Sequence, residues 1–407
     1  MHSVKTIYKI GKGPSSSHSM APAQAAKLFL DGLSSNPLRI KVVLYGSLAA
    51  TGKGHLTDEA ITDAIGDIAV EFQWQPDKIL PLHPNGMEFI AFDGKGNSIR
   101  KQRFYSIGGG QLLDDDGLVG SENKPVYPCD SFGKILQYCN KKSVPLWEYV
   151  NEFDSSSVWP YFEIVWLAMK DAVERGIKKG DKVLPGSLKL QRRAGVMLDY
   201  ANRRVGSLRD RNLLSAYALS VAEENAAGNT IVTAPTCGSC GVVLAILYFF
   251  WQHYDMDITS LTRALAVAGL VGSTVVQRAS ISGAEVGCQG EIGTACSMAA
   301  AAATFLLNGS NAQVEYAAEM GLEHFLGLTC DPIGGFVQIP CIERNAFAAM
   351  RAMDAGAYSL ATGGEHLVGL DDVIDVMNDT GRDLQEKYRE TARGGLAAIM
   401  RDKLLPE

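Results

Sequence analysis

Seven alanine-rich stretches dominate the second half of this 407-residue chain: Leu213–Ala227, Gly241–Tyr254, Leu261–Ala279, Thr294–Leu307, Gln313–Leu326, Glu343–Leu360 and Leu370–Tyr388. Each repeats apolar residues at spacings of three and four, the period of a helix. Thr294–Leu307 (TACSMAAAAATFLL) is apolar almost all round, so it has no face to offer water and belongs inside a helical cluster. The first part of the chain reads differently. Leu38–Ser47 has the β-branched look of a strand. Phe89–Phe92 is a second short strand, and Ser98–Ser106 is placed to pair with it across the turn Gly94–Asn97 (GKGN). Met20–Leu33 and Thr57–Ile68 read as helices, the second with Thr57 as N-cap and Asp58 and Glu59 in its first turn. The composition changes after Trp147, and 407 residues exceed one ordinary core. The expected fold class is therefore α/β plus all-α. Residues 1–145 form an α/β domain carrying a GPSSSH loop, and 146–407 form an all-helical domain.

A net charge of −7 gives no global pull toward nucleic acid or anionic membrane, and neither is expected as a partner. The longest stretch without Asp, Glu, Lys or Arg, Asn225–Tyr254, is continuously apolar only over Gly241–Trp251. That is short of the ~20 residues a bilayer needs, so it reads as a buried helix. The N-terminus has no apolar signal core, so the cytosol is the expected compartment, where thiols stay reduced. An apolar helical body of this kind often hides a dimer face, and a homodimer is the expected assembly.

Three cysteines then stand out: Cys288 in GAEVGCQGE, Cys330 in LGLTCDPIGG and Cys341 in VQIPCIERN. Glycine or proline flanks each, at breaks between helices, where free backbone N–H groups can stabilise a metal–sulfide group. Thiolates suit iron–sulfur clusters or zinc, and three rather than four would leave one coordination position open for a substrate. Their spacing fits no short metal motif, so ordinary buried cysteines are an equal reading from spacing alone. Cys237 and Cys240 form a lone C-x-x-C and compete as ligands or as a redox pair. Cys296 reads as core, and Cys129 and Cys139 as structural.

Gly13–Met20 (GPSSSHSM) places three serines and a histidine just before a helix, a seat for a carboxylate or phosphate. Ser15, Ser16 and Ser17 are the candidate binding hydroxyls. His18 is a candidate acid or base, since imidazole titrates near neutrality. Lys53 and His55 lie in a glycine-flanked turn that lacks the full P-loop pattern, and His83 sits in LHPNGM. Ser106–Gly110 (SIGGG) invites close approach of its backbone to a ligand or to the other domain. Glu223, Glu224, Glu285 and Glu291 read mainly as helix-end charges.

Taken in order, GPSSSHS, LYGSLAATGKGHLTD, HPNGM, EENAAGN, APTCGSCG, SISGAEVGCQGEIGTACSMAAA and LGLTCDPIGGFVQIPCIERN make the chain resemble the iron–sulfur-dependent L-serine dehydratases in their single-chain form. The resemblance implies a 4Fe–4S cluster on Cys288, Cys330 and Cys341. It also implies an N-terminal domain like the small-molecule-binding domains of serine-biosynthetic dehydrogenases, meeting a helical cluster domain at the GPSSSH loop. Relatives often read APTNG where this chain has APTCG, which adds Cys237. Several carry a C-terminal cysteine as a removable iron ligand, whereas this sequence has none after Cys341, so a tail-capped state is not expected.

The activity implied is conversion of a small amino acid, L-serine, to pyruvate and ammonia. His18 is the first choice of base and His55 the second, with Ser15, Ser16 and Ser17 on the substrate. Oxygen sensitivity follows from an iron with no protein ligand. The competing readings are a pyridoxal-phosphate lyase using Lys53, a non-catalytic iron–sulfur sensor, and the same scaffold acting on L-threonine or L-cysteine.

Overall fold

The computed structural model describes residues 1–119, 125–178, 180 and 182–404. Its sheet runs in the order Ala69–Gln75, Arg39–Tyr45, Gly86–Phe92, Ser98–Ser106, Leu112–Asp114 and Gly117–Leu118. The pairing of Gly86–Phe92 with Ser98–Ser106 is antiparallel, as the GKGN turn predicts. Asp93 holds that turn by accepting hydrogen bonds from the Lys95 and Asn97 N–H groups. Arg39–Tyr45 pairs in parallel with Ala69–Gln75, so the chain must cross over between them, and the helices Gly46–Thr51 and Thr57–Ile65 do so. Ile40, Val42 and Leu44 face one side of the sheet, against Phe29, Ile61, Phe89 and Phe104. Val43 and Tyr45 face the other, as strand alternation requires.

The second core is helical and separate from that of the sheet. Ile292–Leu306 lies at its centre, packed by Asn311–Glu323, Cys341–Thr362, Ile258–Arg278 and Gly241–Tyr254. Small residues permit this closeness: a Cβ on Gly321 would sit 2.8 Å from the Ser297 Cα, and one on Gly241 2.4 Å from the Ala218 carbonyl oxygen. Ile258–Arg278 is long and apolar enough to cross a membrane, but 78% of its most apolar window lies inside the protein. The N-terminus belongs to this body as well. Val4, Ile7 and Tyr8 enter the helical core, and Ile10–Lys12 pairs antiparallel with Thr230–Val232. Residues 13–20 are thus led from the helical body into the sheet along the junction of the two.

All seven expected helices form, Gly241–Tyr254 with the expected ends and the others with shifted ones. Leu370–Tyr388 ends early: its helix stops at Asp383, and a single turn follows over Glu386–Tyr388. Thr57 is not an N-cap. Leu56 precedes that helix at φ 56°, and the Thr57 hydroxyl makes no hydrogen bond. The backbone here is set instead by the preceding turn, in which the Thr57 N–H donates to the Gly52 carbonyl. Several elements carry weaker signals in the sequence, two of them for clear physical reasons. The edge strand Ala69–Gln75 (AVEFQWQ) is half-buried on both faces, which blurs its alternation. The helix Val158–Lys178 carries Pro160 in its first turn, where the missing N–H costs nothing.

Candidate active site

Three loops carry the cysteine trio. Cys288 sits in the tight turn Gly287–Gln289 between two helices, and Gly287 supplies φ +75°. Cys330 lies in the loop before Pro332. Its N–H donates to the Tyr388 carbonyl and its carbonyl accepts the Glu390 N–H, both at 2.8 Å. Cys341 opens the helix Cys341–Thr362. All three are buried, and all eight cysteines are free. The Sγ atoms of Cys288 and Cys330 and a carboxylate oxygen of Glu291 lie within 4.8 Å of one another. With Cys341 they line a narrow cleft shared with Ser15, His55, Gly238 and Glu390. A larger groove between the sheet and the helical body is walled by arginines and carries no thiol or imidazole.

The Cys288 thiol is held below its usual range, first by a hydrogen bond from Cys330 and also by the Arg344 guanidinium. Cys330, the donor, is pushed up. Burial, with the charge on Cys288, pushes Cys341 up. Buried soft donors from three loops, with one thiolate already favoured and a cation beside it, fit a metal–thiolate group. Cys237 and Cys240 stand apart. Cys237 packs on Met20 and Cys240 points at the Val221 carbonyl, and burial raises both.

Opposite the thiols, the imidazoles of His18 and His55 stack with centroids 4.4 Å apart. Hydrogen bonding assigns their tautomers. Ser47 donates its hydroxyl proton to the Glu390 carbonyl, so it accepts from His18 Nε2 at 3.2 Å. That leaves His18 Nδ1 to accept from Ser17 Oγ at 2.9 Å. The His55 Nδ1–H donates to the Thr51 carbonyl at 2.9 Å, which leaves Nε2 as a free lone pair on the cleft side. The Ser15 hydroxyl accepts the His18 N–H and caps the turn that leads into Ala21–Asp31. Of the three serines only Ser15 lines the cleft. Ser17 faces the His18 ring, and Ser16 lies toward Cys237. His83 is turned toward Glu285, outside the cleft, and Lys53 lies over the Trp74 ring.

Burial lowers His55 to about 4, below its ordinary 6.5, and lowers His18 well below the same value. Between those pH values the unfolded chain binds the extra proton, so stability is full above 6.5 and falls as pH drops toward 4. The expected loss from His55 is about 2 kcal/mol between pH 7 and pH 5. Urea midpoints at the two pH values check it, with His55→Gln losing less.

Gly54 holds the histidine loop against the cysteine side. A Cβ there would stand 2.6 Å from the Gly335 carbonyl group, so Gly54→Ala must push His55 away. The expected result is a folded protein whose kcat/KM falls by up to ~10²-fold, read by steady-state kinetics beside a thermal melt.

Two acidic residues of the cleft were not legible as such. Glu291 stands at a helix end as expected, before Ile292–Leu306, but it is half-buried against Thr236, whose hydroxyl donates to Oε2 at 2.6 Å. Glu390 was not singled out at all. It is 5% exposed, at φ 53°, with Oε1 3.6 Å from His18 Nδ1 and 3.7 Å from His55 Nε2. A left-handed non-glycine residue at a buried carboxylate is a mark of function, visible only in three dimensions. Glu223 and Glu224, expected as helix-end charges, lie near the end of Gly206–Ala226 but are buried and partnered. Glu223 accepts the N–H groups that open Ala194–Ala201, and Glu224 pairs with Arg192.

The family model for the serine dehydratase beta chain matches residues 3–67 and 63–117, and that for the alpha chain matches residues 95–397. The chain belongs to the serine dehydratase family. Its likeness to individual members spans whole sequences. It is 41% identical to L-serine dehydratase 2 of Escherichia coli, over 98% of each chain. It is 38% identical to the L-serine dehydratase of Streptomyces coelicolor, over 97% of this chain and 98% of that one. With the L-serine dehydratase of Helicobacter pylori it shares 35% identity, over 98% and 99%. In serine dehydratase terms, the beta-chain match carries the serine–histidine loops, and the alpha-chain match carries the three cysteines, Glu291 and Glu390.

Proposed function

We propose that the protein is an L-serine ammonia-lyase that converts L-serine to pyruvate and ammonia. The observation that carries this reading is the facing of His55, backed by the stacked His18, and Ser15 against three buried thiols across one cleft, in a chain of this family. Cys288, Cys330 and Cys341 would hold a 4Fe–4S cluster. When bound, the cluster supplies Lewis acidity to the substrate's hydroxyl and carboxylate.

His55 Nε2 takes the α-proton, because its lone pair is open to the cleft while both His18 nitrogens are occupied by serines. This reverses the order of preference that the sequence suggests. His18 positions His55 by stacking, and Ser15 binds the substrate carboxylate, with Ser16 and Ser17 shaping its loop. Loss of the α-proton and the β-hydroxyl gives an enamine. It tautomerises to an imine, which water hydrolyses to pyruvate and ammonia.

The chain would work as an α/β part and a helical cluster part, split near residue 145 by composition. The two separate apolar cores support the division, and the packing of Phe132–Lys142 in the second core favours a break before that helix. Oxygen sensitivity, a cytoplasmic location, a homodimer and a role in serine degradation feeding gluconeogenesis belong to the same reading. Lys53 over Trp74, outside the cleft, speaks against a pyridoxal-phosphate lyase. The test is anaerobic purification with iron and sulfide analysis and a pyruvate assay on L-serine. Iron-free protein turning over at full rate would overturn the reading, and a cluster without pyruvate would leave a sensor.

A further inference from the structure

An amino-acid substrate brings a carboxylate, a hydroxyl and an ammonium, and the reading above assigns no partner to the ammonium. Glu291 and Glu390 supply one. The point where a Cβ on Gly283 would stand is 2.5 Å from Glu291 Oε1, 3.1 Å from Cys330 Sγ and 3.4 Å from Glu390 Oε2. Two carboxylate oxygens, one of them buried, thus converge beside Cys330, over a residue with no side chain of its own.

We propose that Glu390 Oε2 and Glu291 Oε1 form the seat for the substrate's α-ammonium and make the enzyme selective for amino acids over hydroxy acids. This rests on the dehydratase reading and adds to it the group that recognises the amine.

Both oxygens are fixed before a ligand arrives. Glu390 is pinned through its backbone: its N–H donates to the Cys330 carbonyl, and its carbonyl accepts the Ser47 hydroxyl. Its Oε2 is buried and has no hydrogen-bond partner among the described residues. Glu291 Oε2 is taken by Thr236, which leaves Oε1 turned over Gly283.

Among the described residues no cation forms an ion pair with either carboxylate, and the field of Arg344 reaches Glu291 only from a distance. The Arg344 guanidinium donates to the Thr329 carbonyl, lies 3.8 Å from Asp331 and faces Cys288. The two histidines meet Glu390 at Oε1, on its other side. An ammonium offers three donors, enough for both carboxylates at once, and charge-assisted bonds of this kind are the strong ones. A hydroxy acid would leave the carboxylates facing each other unpaired, which is how a polar site rejects an analogue.

The test uses anaerobically purified enzyme, with iron content and melting temperature measured for each protein. Wild type, Glu390→Gln and Glu291→Gln are compared for binding of D-serine and of 3-hydroxypropionate, the same skeleton without the amine. Calorimetry and competition against L-serine turnover give the constants. Wild type should bind D-serine about 10- to 100-fold tighter than 3-hydroxypropionate. Each variant should lose most of that ratio and raise KM for L-serine by a similar factor, while its 3-hydroxypropionate constant holds. Should Glu390→Gln fail to fold, Glu291→Gln and Glu390→Asp carry the test. An unchanged ratio in folded, iron-replete variants overturns the proposal. So does a Glu390→Gln protein that folds but holds no iron, which would make Glu390 a support of the metal. Wild type that yields no pyruvate refutes the dehydratase reading instead, and the calorimetric ratio still decides the seat.

Discussion

Serine in place of any one of Cys288, Cys330 or Cys341 is expected to strip the protein of iron and sulfide and to lower L-serine turnover by at least ~10³-fold. Residues that act as one unit lose nearly the whole effect when a single member goes. The substitution is nearly isosteric, so the fold should survive, yet a hydroxyl is a hard donor that stays protonated at neutral pH and cannot replace a thiolate. Each thiol comes from a different loop, and among the described residues the two remaining cysteines of the second half near this region, Cys237 and Cys240, point elsewhere. Cys237→Ala and Cys240→Ala should therefore keep the iron and most of the activity, at the modest stability cost of a small cavity. Visible absorbance, iron and sulfide assays and pyruvate production read all five variants. Iron retained in Cys330→Ser and lost in Cys240→Ala would move the ligand set to the C-x-x-C pair.

What the sequence revealed of this site follows a physical division. Cys288, Cys330 and Cys341 were legible because each needs a helix break, and breaks are written locally in glycine and proline. The GPSSSH loop was legible because an N-cap serine is a local requirement, and Ser15 meets it. The Ser106–Gly110 glycines announced a close approach that they do make: Gly108 and Gly109, at φ 99° and 54°, lie against Ile281. Glu390 was invisible for the opposite reason. Its segment carries no helical or strand period, and its place beside Cys330 comes from a backbone bridge across 60 residues of chain. Glu291 announced only a charge at a helix start, because its partner Thr236 comes from another loop. In the fold, amphipathic and all-apolar helices were readable from period alone. The helices Phe132–Lys142 and Leu146–Phe153 precede the alanine-rich region, so their membership of the second core is set by packing rather than by composition.

The histidine pair allows an ordered prediction in which two similar residues differ in effect. His55→Gln is expected to lower kcat by ~10²- to 10⁴-fold, the span of a lost general base, with KM little changed and iron retained. His18→Gln is expected to cost less, because His18 contacts Ser17, Ser47 and the His55 ring rather than the open cleft. The wild-type pH profile carries an independent sign. A base must be unprotonated to act, and burial holds His55 at about 4. The acid limb of kcat/KM should therefore fall near pH 4 to 5 instead of near the ordinary 6.5, so activity stays flat through pH 6. Steady-state rates between pH 5 and pH 8, taken within the range where the protein remains folded, measure it. A limb centred at 6.5, or a His18→Gln defect larger than that of His55→Gln, would hand the base role to His18.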